Sequence, residues 1–162
     1  MKIKNRIKNI FGLMLLGVLF CSASPVAAAS QLNWTTNFDQ AMKESKETKK
    51  PIYLLFTGEA WCSFCKKLNN EVLTSPEFAQ AVGDKLIFVK IDVNPQGMPL
   101  DAKNRQQHQQ LIGQYNINSF PTAFLVDSTG RTILKTGYRH GGGKAYADFL
   151  LQNVKTTQAS NP

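Results

Sequence analysis

The feature that most constrains this sequence is a pair of cysteines, Cys62 and Cys65, placed between two different secondary-structure patterns. The apolar run at 51–57 before the pair is typical of a strand buried on both faces, and residues 66–73 after it have a helical pattern. Two cysteines separated by two residues at such a junction can close a small reversible disulfide. The start of the helix can also hold the first sulfur as a thiolate. This arrangement points to thiol–disulfide exchange.

The first 29 residues have the pattern of a secretory signal peptide. Basic residues at positions 2, 4, 6 and 8 precede an apolar stretch at 10–20, and alanines occupy 27–29, so we expect cleavage after Ala29. The apolar stretch is shorter than the roughly 20 residues that cross a bilayer as a helix. Cys21 lies in this segment, and a lipid anchor on it is the alternative to its removal. The sequence therefore predicts export, with residues 30–162 as the mature domain.

The charge distribution gives no support for nucleic-acid binding. The chain has 19 Lys and Arg against 11 Asp and Glu, but four of the basic residues and none of the acidic ones precede residue 30. The mature domain thus keeps 15 basic and 11 acidic residues, scattered rather than gathered in one basic stripe. We expect a mildly basic exported domain without a nucleic-acid partner.

The remaining patterns predict an α/β domain with its core at about 35–154. We expect helices at 35–49, 66–73, 76–82, 100–114 and 144–154, and strands at 52–56, 86–93, 122–126 and 132–136. A turn signal at 127–130 joins the last two strands. This order predicts a central mixed sheet with a terminal antiparallel hairpin, flanked by helices.

On these motifs the chain resembles the thioredoxin superfamily over almost all of residues 35–154. The resemblance is carried by Trp-Cys-x-x-Cys-Lys at 61–66, by the strand at 88–93 with Asn-Pro after it, and by Tyr-x-Ile and Pro-Thr at 115–122. The segment at 56–68 is similar to that of small exported reductases of the periplasmic Dsb type. The resemblance implies a thioredoxin fold with an N-terminal extension, an insertion at 96–110 and a lengthened helix before a cis proline.

The resemblance also implies roles for the residues around the cysteines. Cys62 would be the nucleophile at the helix N-terminus, and Cys65 would resolve the mixed disulfide that Cys62 forms with a substrate. Pro121 would be the cis proline that faces the disulfide. The substrate groove would be formed by Trp61, Ser63, Phe64, Phe120 and Pro121. Neither a bound cofactor nor a metal ion is expected.

The chain departs from thioredoxin at a buried acid. Thioredoxin has an aspartate six residues before its first cysteine, where it assists deprotonation of the second, and this chain has Phe56 there. Glu59 is the nearby acid that could serve as proton acceptor. The alternative is that Glu59 is an ordinary acid in a solvated loop.

These observations lead us to expect a periplasmic thiol–disulfide oxidoreductase that reduces protein disulfides. By analogy, a membrane electron donor of the DsbD type would supply it, and we expect a monomer. The absence of a histidine between the cysteines favours the reductase direction, because a histidine there would make the disulfide more oxidising. The alternatives are a disulfide oxidase or isomerase with the same site, and a binding or chaperone module without redox turnover.

Several motifs also have a purely structural interpretation. The cysteines could form a static disulfide, or half of a zinc site completed by His108 and His140. Otherwise each histidine is expected at the surface, and Pro121 could be a trans proline at a strand edge. The glycines at 141–143 are expected to connect a strand to a helix rather than to bind phosphate. The Gln-rich stretch at 104–110 is expected to be a solvated helix face.

Overall fold

The computed structural model describes residues 32–159. The predicted cleavage site and Cys21 lie outside the described residues. In chain order the elements are β1 (Trp34–Thr35), α1 (Phe38–Thr48), β2 (Ile52–Thr57), α2 (Ser63–Leu68) with a π-helical turn after it (Asn69–Leu73), α3 (Pro76–Val82), β3 (Ile87–Asp92), α4 (Arg105–Gln114), β4 (Thr122–Val126), β5 (Thr132–Thr136) and α5 (Gly142–Ala159).

The five strands form one mixed sheet in the order β1-β3-β2-β4-β5. Strand β2 is central, parallel to β3 and antiparallel to β4, and β5 continues the sheet antiparallel to β4. Every residue of β2 is buried, because strands cover both of its edges and helices cover both faces of the sheet. The predicted mixed sheet with a terminal hairpin is therefore confirmed.

Helices on the two faces of the sheet produce two apolar cores. Tyr53 and Leu55 of β2 pack with residues of α2, α3 and α5. Ile52, Leu54 and Phe56 point to the other face and pack with residues of α1 and α4. Strand β2 thus supplies both cores with alternate residues, which explains its unbroken apolar run.

A buried hydroxyl pair ties the first core to the connection between β5 and α5. The hydroxyl groups of Tyr53 and Tyr146 lie 3.1 Å apart, and the Tyr146 hydroxyl donates to Gly137 O at 3.0 Å. The glycines at 141–143 lie where the connection from β5 enters α5, and Gly142 is the first residue of that helix. Gly143 is packed so closely against α3 that a Cβ there would lie 1.7 Å from Ser75 Oγ.

Helix α4 begins at Arg105, so the prediction that it begins at 100 is wrong. Residues 98–100 pair instead with 92–94, through hydrogen bonds from Asn94 N–H to Met98 O and from Leu100 N–H to Asp92 O, both 2.9 Å. The backbone N–H of Leu100 is therefore engaged outside a helix. We call residues 94–104 the insertion loop.

Other helix ends also differ from the sequence prediction. Helix α1 begins at Phe38 rather than at 35, because Trp34 and Thr35 form a short parallel strand on β3. Helix α2 begins at Ser63 rather than at 66, which places Cys65 inside it. Helix α5 is longer than predicted at both ends. None of the helices in the described part of the chain has the length and apolarity required to cross a bilayer.

His108 is fully buried, so the expectation that it lies at the surface is wrong. Its Nε2 lies 2.7 Å from Thr36 O, while its Nδ1 has no hydrogen-bond partner among the described residues. The neighbouring Gln107 accepts a hydrogen bond from Phe38 N–H at 2.8 Å. Gln107 and His108 of the Gln-rich stretch therefore attach α4 to the beginning of α1.

Candidate active site

The two cysteines lie directly beyond the carboxyl end of the central strand β2. Cys62 is the N-cap of α2, with φ −85° and ψ 116°, and Cys65 lies in the first turn of this helix. The two form a disulfide, with their Cα atoms 5.2 Å apart. The first N–H groups of a helix have no intrahelical partner, and together with the helix dipole they stabilise negative charge. Cys62 is therefore placed where a thiolate would be favoured.

The two sulfurs have different surroundings. Cys65 is 2% exposed, and Gly58 N–H points at its Sγ from 3.4 Å. Cys62 is 8% exposed, and its Sγ lies 3.5 Å from Phe120 O. Cys62 is thus the outer sulfur, and the chain before β4 passes directly beside it.

The segment that faces Cys62 contains a cis peptide bond between Phe120 and Pro121. Strand β4 begins with the next residue, Thr122, whose hydroxyl donates to Ser119 O at 2.7 Å. Phe120 and Pro121 are half-buried. The structure therefore brings both predicted groove residues of this segment next to the disulfide.

Trp61 is held beside the disulfide by three contacts. Its Nε1 donates to Val93 O at 2.8 Å, and its ring meets the Phe120 ring edge-on, with 5.6 Å between the centroids. Gly58 lies against the indole so closely that a Cβ there would be 2.4 Å from Trp61 Cε2. The absence of a side chain at position 58 therefore lets the indole occupy this place.

Ser63 and Phe64 are exposed on the other side of the pair. The centroid of the Phe64 ring lies 6.1 Å from that of Tyr138 and 5.8 Å from Lys67 Nζ. The Tyr138 hydroxyl donates to the Glu71 carboxylate, and this hydrogen bond raises the pKa of Tyr138. Sequence reasoning missed Tyr138. The predicted hairpin could have indicated it. The end of β5 pairs with the start of β4, so residues just after β5 lie near Pro121.

No carboxyl group stands at the position of the buried acid of thioredoxin. Phe56 is fully buried, with its ring 6.0 Å from that of Tyr115 and 6.1 Å from that of Phe124. The Glu59 carboxylate, the predicted substitute, forms an ion pair with Lys90 Nζ at 2.8 Å. Glu59 is therefore a paired acid rather than an isolated one.

A second acid, Asp92, lies beside Glu59. Its Oδ1 accepts a hydrogen bond from Glu59 N–H at 3.0 Å, and the residue before Glu59, Gly58, directs its N–H at Cys65 Sγ. Burial raises the pKa of Asp92 and the charge of Glu59 raises it further, while the hydrogen bond from Glu59 N–H opposes both. The backbone amides that contact Cys65 Sγ and Asp92 therefore belong to two consecutive residues, Gly58 and Glu59.

Asp92 was missed at the level of sequence, although a signal for it existed. It is the last residue of β3, paired in register with Thr57 at the end of β2. Parallel neighbours end at the same edge of a sheet, so an acid at the end of β3 is expected near a motif that follows β2.

The predicted zinc alternative finds no support in the arrangement of these residues. Within residues 32–159 there is no group of three or more His, Cys, Asp or Glu side chains that could hold a metal ion. His108 is engaged by Thr36 O, and His140 Nδ1 lies 3.2 Å from the Tyr138 hydroxyl. The two histidines therefore do not join the cysteines.

Comparison with known proteins agrees with this fold and site. The family described as a thioredoxin-like domain matches residues 38–142, more than half of the chain. The chain is 38% identical to the disulfide bond reductase DsbH of Chlamydia pneumoniae over 131 residues, which are 81% of this chain and 77% of that protein. The chain belongs to the thioredoxin-like family. With these relatives, it is a thiol–disulfide oxidoreductase, and its cysteine pair lies at disulfide distance.

Solved structures give the same result. A DsbH oxidoreductase superposes with a TM-score of 0.74 at 32% identity, covering 86% of this chain and 94% of that one. The C-terminal domain of DsbD from Neisseria meningitidis in its reduced form gives 0.56 at 25% identity, covering 75% of this chain and 99% of that one. The thioredoxin fold and the predicted resemblance to Dsb-type reductases are confirmed.

Proposed function

We propose that the mature protein is a periplasmic reductase of protein disulfides, with Cys62 as the nucleophile and Cys65 as the resolving thiol. The observation that carries this proposal is the placement of Cys62 at the helix N-cap as the outer sulfur, with Cys65 buried behind it. The similarity to DsbH, which is named a disulfide bond reductase, supports the reducing direction.

The proposed reaction starts from the reduced pair. The Cys62 thiolate attacks one sulfur of the substrate disulfide, which forms a bond between the two proteins and releases the other substrate sulfur as a thiolate. The Cys65 thiolate then attacks Cys62 Sγ, closes the Cys62–Cys65 disulfide and releases the second substrate thiol. Two electrons pass from the dithiol to the substrate. Since the dithiol itself carries the electrons, no bound cofactor is needed.

We propose that the substrate binds in the groove formed by Trp61, Ser63, Phe64, Phe120 and Pro121. Cys62 Sγ lies 3.5 Å from Phe120 O, so a substrate cysteine bonded to it lies beside the backbone of this segment. Because β4 begins only at Thr122, the segment before it lies outside the strand ladder and can pair with an extended substrate strand.

The resolving step requires that a buried thiol lose its proton, and we propose that the neighbouring acids Glu59 and Asp92 assist it. Glu59 is the acid predicted from the sequence, and it forms an ion pair with Lys90. Asp92 has a raised pKa and accepts a hydrogen bond from Glu59 N–H. Comparing Glu59→Gln with Asp92→Asn in the rate at which the mixed disulfide resolves identifies which acid acts.

A reductase outside the cytosol needs a supply of electrons. The pattern of residues 1–29 supports export to the periplasm. The similarity to the C-terminal domain of DsbD supports a membrane electron donor of the DsbD type. A monomer is sufficient for this reaction, because both cysteines lie in one chain.

Insulin reduction by the cysteine variants of residues 30–162 tests the assignment of roles. Cys62→Ser should abolish activity, and Cys65→Ser should accumulate a mixed disulfide with the substrate. Full activity of Cys62→Ser would refute these roles. Equilibration with glutathione, or with dithiothreitol if needed, tests the direction. A potential near roughly −270 mV supports a reductase, and one near roughly −120 mV makes the protein an oxidase.

A further inference from the structure

Large apolar side chains are exposed at few places in the described part of the chain. They are Trp61, Phe64, Met98 and Leu100, with 39%, 55%, 54% and 51% of their surface accessible. Trp61 directly precedes Cys62, and Phe64 lies between the two cysteines. The other two belong to the insertion loop, which the redox chemistry does not use.

Val93 connects the insertion loop to the active site. On one edge its carbonyl accepts the hydrogen bond from Trp61 Nε1, and on the other edge it is bridged to Pro99 of the loop. Pro99 is buried, so the side chains before and after it, Met98 and Leu100, point away from the core. The backbone of Met98 and Leu100 therefore lies about one strand spacing, roughly 4.8 Å, from the segment at Val93 that Trp61 contacts.

The exposed loop residues line a groove with the first turns of α4. The groove has a volume of about 210 Å³, and Met98, Leu100, Arg105 and Gln109 contribute to its walls. Arg105 is exposed and forms no ion pair with any residue in 32–159. The carboxylate of Asp101 in the same loop accepts hydrogen bonds from the backbone of the loop and from Asn104. The groove thus combines two apolar walls with an unpaired positive charge.

Charges around the disulfide favour a partner with acidic residues. Lys66 and Lys67 on α2 are exposed and have no carboxylate partner among the described residues. The acids near the cysteines are already engaged, and one of them, Asp92, accepts a hydrogen bond from Glu59 N–H. Glu59 pairs with Lys90, and Glu71 accepts from the Tyr138 hydroxyl. The surface that faces an incoming protein is therefore positive at the rim and apolar within.

We propose that the groove formed by the insertion loop and α4 docks the segment that flanks the reactive cysteine of the protein partner. The segment would place an apolar side chain between Met98 and Leu100 and a carboxylate on Arg105. This proposal rests on the proposed function, because it assumes that a protein disulfide reacts at Cys62. The groove acts in selection of the partner and takes no part in electron transfer.

Reaction rates with three cysteine peptides test this proposal in the Cys65→Ser protein, residues 30–162. Each peptide carries its cysteine as a mixed disulfide with thionitrobenzoate, whose release as the coloured thiolate reports attack by Cys62 on the peptide sulfur. The first peptide has Leu and Glu on both sides of the cysteine, the second has Leu and Lys, and the third has Ser and Gln. We expect the first to react about tenfold faster than the second at low salt, and this ratio to shrink at high salt.

Variants of the groove then locate the effect. Arg105→Glu should lower the rate of the acidic peptide about three- to tenfold relative to the Ser and Gln peptide. The double change Met98→Ser and Leu100→Ser should reduce the rate advantage of the Leu and Glu peptide over the Ser and Gln peptide. The control Lys46→Glu makes the same change of charge in the last turn of α1, at the opposite end of β2, and should leave all rates unchanged.

The outcomes separate this proposal from the proposed function. If no peptide and no small aromatic disulfide reacts at Cys62, the proposed function fails. If all three peptides react equally, or if Arg105→Glu leaves the acidic preference undiminished, the chemistry stands and the docking proposal is overturned. Sedimentation that shows a dimer dissociated by the Met98 and Leu100 changes would also overturn it, because the occupant would then be a second copy of the chain.

Discussion

Replacing Gly58 with alanine should displace the indole of Trp61. The new Cβ would lie 2.4, 2.5 and 2.7 Å from Trp61 Cε2, Cζ2 and Nε1. Carbon atoms in contact are separated by about 3.5–4.0 Å, so the ring must move by about 1 Å. The φ angle of Gly58 lies outside the left-handed region, so alanine fits the backbone there. The expected destabilisation therefore comes from the collision with the indole.

The cost of this displacement follows from the contacts of the indole. Movement of the ring breaks the 2.8 Å hydrogen bond to Val93 O, which contributes about 0.5–1.5 kcal/mol net. It also disturbs the edge-on contact with Phe120, which contributes about 0.5–1.5 kcal/mol. The free energy of unfolding should fall by about 1–3 kcal/mol, which lowers Tm by roughly 4–12 °C for a domain of this size.

Thermal unfolding of the oxidised protein, followed by circular dichroism, measures this change, and tryptophan emission reports the displaced ring. Gly113→Ala is the matched control, because a Cβ at this position in α4 would meet nothing within 4 Å. Alanine should stabilise that helix by about 0.5–1 kcal/mol. If Gly58→Ala keeps both the Tm and the emission of the original protein, the packing argument is wrong.

Other substitutions examine the buried polar groups. His108→Ala should lower the free energy of unfolding by about 2–4 kcal/mol in urea, since it opens a cavity and removes the hydrogen bond to Thr36 O; an unchanged midpoint would contradict this. Tyr146→Phe should cost about 1–3 kcal/mol through its lost hydroxyl bonds, and no change would show that these bonds contribute nothing net. The pKa of Asp92 is raised on folding, so its stabilising contribution is present below the unfolded pKa of about 3.9 and is lost as pH rises through the folded pKa. Relative to the original protein, Asp92→Asn should therefore be more stabilising at pH 7 than at pH 3. If its stabilising effect decreases as the pH rises, the direction of the pKa shift is wrong.

Strands β2 to β5 and the short helix α3 were predictable because local sequence determines them. The run at 52–56 is apolar throughout since β2 has neighbours on every side. Ser75 caps α3 by accepting from Phe78 N–H, with Pro76 in its first turn, as its sequence indicates. The turn at 127–130 is likewise marked by its own side chains, since Asp127 Oδ1 accepts from Thr129 N–H.

Features that depend on contacts between distant segments were not predictable. Strand β1 has two residues, too few for a periodic pattern, and exists because it pairs with β3. The burial of His108 arises from the packing of α4 against residues 36–38, through hydrogen bonds between residues 69 and 72 positions apart. Its own neighbours in sequence are polar and predict exposure. The true start of α4 depends on the pairing of 98–100 with 92–94.

Within the candidate site, the sequence predicted the residues that a motif defines and missed those that the fold supplies. The cysteines and Trp61 are recognisable from the motif, and the structure places Phe120 and Pro121 beside them. Asp92 and Tyr138 reach the site from the ends of neighbouring strands. Their position near the cysteines depends on the order of the strands in the sheet, which no local sequence pattern indicates.

The insertion loop stands apart from the framework that sets the geometry of the disulfide. Strand β2 positions the cysteine pair and pairs with both β3 and β4, whereas the loop is attached along residues 92–94 and through Asn104, whose side chain donates to Thr36 Oγ1 at 3.1 Å. Neither attachment involves β2 or α2, so residues of the loop can change without moving the sulfur atoms. Evolution, or an engineer who grafts another loop between Asn94 and Arg105, can alter which proteins are recognised while the redox centre is inherited intact.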